Sequence, residues 1–334
     1  MPNLVYALDS EPGIRRRRTG RGFCYTLPDG KRVCDEIELF RLKHLAIPPA
    51  WTEVWICPDE TGHLQATGRD AKGRKQYLYH PDFRQARDSA KYERLLSFGK
   101  RLERVRDKVM RDLALPGLPF EKVLATVVHL LETTLIRIGN EDYAKENRSY
   151  GLTTLRRKHV SVEKSILRFD FKGKSGRLWR LKVTDRRIAR IIRSLQELPG
   201  QALFKYVDEE GKRREITSSD VNAYLAEWKI TAKDFRTWAG TVMAVDLLRS
   251  APLPRSVTHG KREITAILRQ VSQRLGNTVA VCRKAYIHPA LLDHYLSGQF
   301  KVRYLEREGD LLAPAERATL ALLRRLKAAE SPSP

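Results

Sequence analysis

A chain of 334 residues with 42% hydrophobic content, ordinary for a globular protein, is long enough for two or three domains with a real core. Lys and Arg outnumber Asp and Glu by 63 to 40, a net charge of +23 spread along the whole chain, so the expected partner is a polyanion, nucleic acid first. A membrane surface is the weaker reading, because no single basic amphipathic helix carries the excess. No apolar run reaches bilayer length, and the first residues lack a signal-peptide pattern. The four cysteines, Cys24, Cys34, Cys57 and Cys282, have no metal spacing, so no zinc site is expected and reduced thiols are the default.

The run Arg15-Arg16-Arg17-Arg18 reads equally as a solvated charge run or as a strap contacting phosphates. Residues 22–27 and 32–34 alternate as strands around Pro28-Asp29-Gly30-Lys31, and Asp-Gly supplies the positive φ of a tight hairpin turn. Residues 36–45 suit a short helix, broken by Ile47-Pro48-Pro49-Ala50-Trp51, and 54–57 and 64–68 suit two further strands. This β-rich unit is expected to span residues 1–85. Near its end, Arg69, Arg74, Lys75, Gln76, Tyr77 and Tyr79 interleave bases with aromatics. Such a segment is able to meet phosphates through its cations, an adenine edge through the amide, and sugar or base through the rings, while the plainer reading is a basic loop anchored by two tyrosines.

Residues 86–330 are expected to form a mainly helical domain, with 83–112 carrying the hinge and 330–334 a disordered tail. Apolar positions Val123, Leu124, Val127, Val128, Leu131, Leu135 and Ile138 recur at helical spacing, so a helix is expected to reach Ile138, to carry Arg137 near its end and to stop at Gly139-Asn140. Residues 166–171 and 177–183 form strands around the turn Lys172-Gly173-Lys174-Ser175-Gly176, which puts Lys174 at a hairpin tip. Helices follow over 184–198; from 220 to 228, capped by Ser218 or Ser219; and from Thr231 to about 248. The last of these places Arg236 near a helix start, where its charge opposes the dipole and asks for Asp234 or a bound phosphate. A helix over 264–275 ends at Gly276, Asn277 is placed as the N-cap of a helix carrying Tyr286, and later helices begin at Pro289 and Pro314. Asn277 and Tyr286 are nine residues apart and face opposite sides of one straight helix, so joint work requires a break between them.

Tyr286, flanked by Arg283 and Lys284 and preceded by Arg137, Lys174 and Arg236, is the candidate nucleophile. An unperturbed phenol has a pKa of about 10. Nearby cations favour the phenolate and neutralise charge on a phosphoryl centre, whereas a lone tyrosine on an apolar helix face is ordinarily a core residue.

From about residue 20 to about residue 300 the chain resembles type IB DNA topoisomerases, the small poxvirus-like and bacterial branch. The resemblance is carried by Ile47-Pro48-Pro49-Ala50-Trp51, Gln76-Tyr77-Leu78-Tyr79-His80, Arg137-Ile138-Gly139-Asn140-Glu141-Asp142-Tyr143, Lys172-Gly173-Lys174, Lys233-Asp234-Phe235-Arg236-Thr237-Trp238 and Lys284-Ala285-Tyr286. It implies an α+β fold whose β-rich amino-terminal domain and larger helical catalytic domain clamp duplex DNA. It also implies a monomer acting in the cytoplasm on the nucleoid, with no membrane and no cofactor.

By the same resemblance Tyr286 forms a 3′-phosphotyrosyl, Arg137 and Arg236 hold the non-bridging oxygens, Lys174 protonates the leaving 5′-oxygen and Lys233 assists. The fifth catalytic member is commonly histidine; Asn277 stands there, able to donate a hydrogen bond but not to carry charge. Supercoils would be relaxed by cleavage, strand rotation and religation without ATP or metal. The rival readings are a tyrosine recombinase, which usually has His-x-x-Arg where Lys233 precedes Arg236, and a DNA-binding protein without catalysis.

Overall fold

The computed structural model describes residues 4–20, 22–304 and 309–330, and the chain divides into two compact units, Met1–Tyr92 and Glu93–Pro334. Residues 331–334, most of the expected disordered tail, lie outside the described residues.

In the first unit, strands β1 (Ile14–Thr19), β2 (Gly22–Thr26), β3 (Thr52–Ile56), β4 (Leu64–Arg69) and β5 (Lys75–Tyr79) form one antiparallel sheet in the order β2-β1-β3-β4-β5. Ile14, Tyr25, Val54, Ile56 and Ala66 pack with Leu42 of helix α1 (Glu36–His44) in the larger core cluster. A second cluster unites Ala7, Trp55, Cys57 and Leu64. There the segment before β1 is tied to the sheet by Ala7 N–H donating to His63 Nδ1 at 3.1 Å and Trp55 Nε1 donating to the Glu11 carbonyl at 2.9 Å.

Two expectations for this unit change. The arginine run is a strand, not a free charge run: Arg16 reaches the carbonyls of Ile47, Pro48 and Trp51 at 2.9, 2.9 and 3.0 Å and lies over the Phe23 ring at 4.2 Å, while Arg15, Arg17 and Arg18 stay exposed. Alternation along a strand lets one arginine serve the interior while its neighbours face water. The turn after β2 closes as expected, with Leu27 N–H on the Lys31 carbonyl at 2.8 Å and Gly30 at φ 88°. Its return strand, however, shrinks to a single bridge between Thr26 and Arg32, because Asp35 already caps α1.

The boundary between the units falls within helix α2 (Pro81–Leu113), which contributes Leu95, Phe98, Leu102, Val105, Val109 and Leu113 to the core of the second unit at helical spacing. There follow α3 (Phe120–Thr134), α4 (Glu141–Asn147), the antiparallel sheet β6 (Val160–Glu163), β7 (Ile166–Lys172) and β8 (Leu178–Thr184), then α5 (Arg186–Glu197) and the small hairpin β9 (Lys205–Val207) and β10 (Arg213–Glu215). The chain continues with α6 (Ser218–Ala226), α7 (Ala232–Ser250), α8 (Val257–Leu275), α9 (Val279–Tyr286), α10 (Pro289–Leu296) and α11 (Pro314–Glu330). Helix α7 is the hub, packing against α3, α6, α8, α9 and α11. The expected α+β class is therefore present: a small β unit and a larger, mainly helical one.

Several helix ends differ from expectation. Helix α3 stops at Thr134, with Leu135 in the left-handed region at φ 59°, so Arg137 lies beyond the helix and not in its last turn. The reason is pairing at long range: Leu152 N–H takes the Arg137 carbonyl at 2.9 Å and Thr153 N–H that of Ile138 at 2.7 Å, and these contacts pull 136–138 out of the helix. Thr217, with Asp220, caps α6 in place of Ser218 or Ser219, and α8 starts at Val257 behind Ser256. The cap of α9 is Thr278, not Asn277.

Candidate active site

The site is assembled where helices end. Arg236 is the fifth residue of α7 and is only 3% exposed. The expected partner Asp234 is not available to it, because that carboxylate closes the capping box of α7 by accepting from Thr231 N–H at 2.7 Å and Thr231 Oγ1 at 2.9 Å. The guanidinium instead donates to the carbonyl of Leu135, which closes α3, and to that of Leu275, the last residue of α8, the latter at 2.5 Å. Carbonyls at helix carboxyl ends lack intrahelical donors and carry the negative end of the dipole, so they hold a buried cation without neutralising it.

Arg137 is placed the same way. It donates to the Gly276 carbonyl at 3.4 Å and to Asn277 Oδ1. Gly276 caps α8 at φ 66°, a conformation that suits glycine, and the chain breaks there before α9 begins. That break removes the difficulty posed by nine residues of straight helix, since Asn277 lies outside α9 altogether. A guanidinium only donates, so the amide oxygen of Asn277 must face Arg137 and its nitrogen must face elsewhere. Both Asn277 Nδ2 and Arg236 Nε are, among the described residues, buried donors without a partner. Among the described residues, neither Arg137 nor Arg236 is paired with a carboxylate.

Tyr286 ends α9, is 8% exposed, and has its ring centroid 5.2 Å from the Arg236 guanidinium carbon. Its backbone is pinned to α7: Thr241 Oγ1 donates to its carbonyl at 3.1 Å, and a Cβ added at Gly240 would stand 2.9 Å from the same oxygen. Burial alone would push the phenol pKa up. The charge and hydrogen bond of Arg236, with the charges of Arg137 and Lys233, outweigh it, and the phenol lies below its ordinary value. The flanking Arg283 and Lys284, singled out in the sequence, are exposed on α9, and the cations acting on the phenol come from α7 and from the stretch after α3. Burial and the neighbouring Arg236 in turn depress Arg137, though a guanidinium remains charged at any working pH.

Lys174 is exposed at the tip of the β7–β8 hairpin, where Ser175 and Gly176 take φ of 62° and 76°. The structure thus brings Arg137, Arg236, Asn277 and Tyr286 into one cluster with Lys233 acting on it by charge. Trp179, Gly240, Thr241 and the carbonyls of Leu135 and Leu275 were not singled out in the sequence; a backbone carbonyl or a packing glycine leaves no residue-type signal.

In the first unit the basic segment is the β4–β5 hairpin, and its cations are paired: Arg69 at the end of β4 with Glu53 at 2.8 Å, Arg74 in the turn with Asp70 at 2.6 Å and Lys75 at the start of β5 with Asp9 at 2.5 Å. Gln76 donates to Asp70 at 3.0 Å, and Tyr77 stacks on Tyr79 with centroids 6.2 Å apart. The salt bridge with Arg74 and its amide neighbours hold the Asp70 carboxyl down to about 2.

The eukaryotic DNA topoisomerase I catalytic-core family matches residues 80–308, and the bacterial DNA topoisomerase IB N-terminal domain family matches residues 22–70. The chain is 33% identical over 295 residues to a DNA topoisomerase 1B of Acanthamoeba polyphaga mimivirus, covering 85% of this chain and 87% of the relative. The chain belongs to the type IB DNA topoisomerases. The DNA topoisomerase 1B of vaccinia virus (strain Copenhagen) is 25% identical over 278 residues, 75% of this chain and 80% of that protein. A DNA topoisomerase 1 of rabbit fibroma virus is 26% identical over 265 residues, 76% of this chain and 80% of the relative. As a type IB topoisomerase the chain is an enzyme. None of its described helices is long and apolar enough to cross a membrane.

Proposed function

We propose that this type IB topoisomerase relaxes supercoiled DNA through Tyr286. The phenol gives up its proton to solvent, its oxygen attacks a backbone phosphorus and the bond to the 5′-oxygen breaks, leaving a 3′-phosphotyrosyl. The released strand end rotates, and its 5′-hydroxyl attacks the phosphotyrosyl to restore the backbone. One phosphodiester is exchanged for another of similar energy, so no ATP is consumed. Arg236 and Arg137 hold the two non-bridging oxygens, Asn277 Nδ2 adds a neutral hydrogen bond to one of them, Lys174 protonates the leaving 5′-oxygen, and Lys233 supports that transfer.

The observation that carries this reading is a buried Arg236 and a half-buried Arg137, both held by helix-end carbonyls beside a phenol of lowered pKa, with Arg236 Nε and Asn277 Nδ2 unpartnered among the described residues. Fixed donors of this kind stabilise charge that develops on a phosphoryl centre without reorganising at the moment of reaction. Duplex DNA is the substrate in this reading and the enzyme works as a monomer in the cytoplasm, on the nucleoid. Its first unit contributes Arg69, Arg74, Lys75, Gln76, Tyr77 and Tyr79 to DNA contact, and its second unit contributes Arg283 and Lys284.

The test is plasmid relaxation with EDTA present and ATP absent, alongside Tyr286→Phe. The wild type is expected to relax the plasmid and to form a covalent complex with DNA, and the variant to do neither. Relaxation by the variant would remove Tyr286 from the mechanism. Binding by the wild type without relaxation would overturn the proposed activity.

A further inference from the structure

We infer that Trp179 is a positioning residue that locks the Lys174 turn against the junction carrying Asn277. The inference rests on reading Lys174 as the proton donor to the leaving 5′-oxygen.

The β7–β8 hairpin is in register up to Lys172 opposite Leu178, and the Gly173 N–H closes the turn on the Arg177 carbonyl at 2.8 Å. Within the tip, Gly176 N–H takes the Gly173 carbonyl at 3.1 Å, so the turn is closed on itself and what places it against α8 must come from outside it. Trp179 is the single buried residue of β8, 6% exposed, and its ring stacks in parallel with Phe171 at 6.3 Å. Its indole lies across two glycines that are distant in sequence. A Cβ built on Gly173 would stand 2.7 Å from Trp179 Cδ1 and Nε1, and one built on Gly276 would stand 2.6 Å from Cζ2. The five-membered ring therefore lies on the residue preceding Lys174, and the six-membered ring on the residue preceding Asn277. Neither glycine has room for even a methyl group. A second tie runs parallel to the first: Arg177, just past the tip, donates through Nη2 to the Gln273 carbonyl in the last turn of α8 at 2.9 Å.

This arrangement answers a geometric need. The ammonium of Lys174 ends a long side chain that stands on an exposed turn. A general acid contributes only while its proton is within hydrogen-bond reach of the oxygen it serves, and loss of positioning forfeits effective concentration. The arginines are placed by helix ends, whereas the turn that carries the lysine is placed by the indole on which it rests.

The experiment uses the full-length enzyme in single-turnover cleavage of a duplex oligonucleotide containing a mapped cleavage site. Two versions are compared, one with the ordinary 5′-oxygen at the scissile bond and one with sulfur in that bridging position. In both, the Tyr286 oxygen bonds to phosphorus as the bond to the 5′-atom breaks. The oxygen must take a proton as it leaves, whereas sulfur departs as a thiolate. Trp179→Ala is expected to lose about 10- to 100-fold on the oxygen substrate, the range of a mispositioned general acid, and to approach the wild-type rate on the sulfur substrate. Trp179→Phe, which keeps the core filled but is too short to span both glycines, is expected to show a smaller loss with the same rescue, and it decides the matter if the alanine variant does not fold.

Equal loss on both substrates would mean that Trp179 merely supports the fold, and an undiminished rate on oxygen would mean that it positions nothing; either overturns the inference. Lys174→Ala separates this from the underlying reading. If that variant is not rescued by sulfur, Lys174 is not the acid; if it is rescued and the Trp179 variants are not, only the role of Trp179 falls.

Discussion

Two basic regions of this enzyme use their charge in opposite ways. On β5 and its neighbours in the first unit, Arg69, Arg74 and Lys75 each meet a carboxylate, and all three pairs are partly exposed. Around Tyr286 in the second unit, Arg236 and Arg137 are held by backbone carbonyls and an amide oxygen, with no carboxylate among the described residues. A salt bridge cancels charge, while a helix end organises it and leaves it in force. Solvent-exposed pairs contribute little to stability, so the first region is able to release its cations cheaply, whereas the second region keeps its cations committed to one spot.

That contrast is most exposed to failure at Arg236. Arg236→Ala is expected to lower single-turnover cleavage by about 100- to 1,000-fold, the usual consequence of removing one preorganised donor. It should also lower the melting temperature, because two helix-end carbonyls lose their donor at roughly 1–3 kcal/mol each. A variant that keeps near wild-type cleavage would show that the buried cation is structural only.

Asn277→Ala is expected to cost about 5- to 10-fold in cleavage, since a neutral hydrogen bond contributes roughly 1 kcal/mol net. Asn277→His should recover activity, with a gain that grows as the pH falls toward about 6.5, where an imidazole becomes charged. Loss of activity in the histidine variant at every pH would place Asn277 in the service of Arg137 alone.

The pH profile sharpens the comparison further. Cations hold the Tyr286 phenol below its ordinary value, so removing one raises it. In Lys233→Gln or Arg137→Gln, the rising limb of cleavage rate against pH should therefore move to higher pH. A limb that stays in place would belong to another group.

Smaller effects are expected in the first unit. Asp9→Asn frees Lys75 from its partner and should tighten DNA binding a few-fold, with the slope of log affinity against log salt steepening by about one, the signature of one more phosphate contact. An unchanged slope would show that Lys75 meets no phosphate. The smallest effect concerns thiols: iodoacetamide should label exposed Cys34 and spare Cys282, whose thiol burial pushes up to about 11, with relaxation unaffected. Prompt labelling of Cys282 would show that the core between α7 and α9 opens.

Much of this was legible in the residues. The alternation of β7, the Asp-Gly turn after β2 and the periodic apolar face of α3 follow from local rules, and Lys174 at a hairpin tip follows from strand, turn and strand. Where those rules failed, a partner distant in sequence had intervened. Helix α3 was expected to run through Ile138, but residues 152 and 153 take the carbonyls of 137 and 138, and Leu135 turns left-handed to present its own to Arg236. Asn277 has every property of an N-cap, yet Thr278 performs that role and leaves the amide to Arg137.

The sequence by itself determined which side chains are candidates for phosphoryl chemistry, because a phenol, two guanidiniums and a lysine are properties of residue type and spacing. Only the tertiary structure decided what holds them. The carbonyls that hold Arg236 are those of Leu135 and Leu275, and every residue has a carbonyl. Which of them is left without a donor depends on where α3 and α8 end, and that is settled by packing within the second unit.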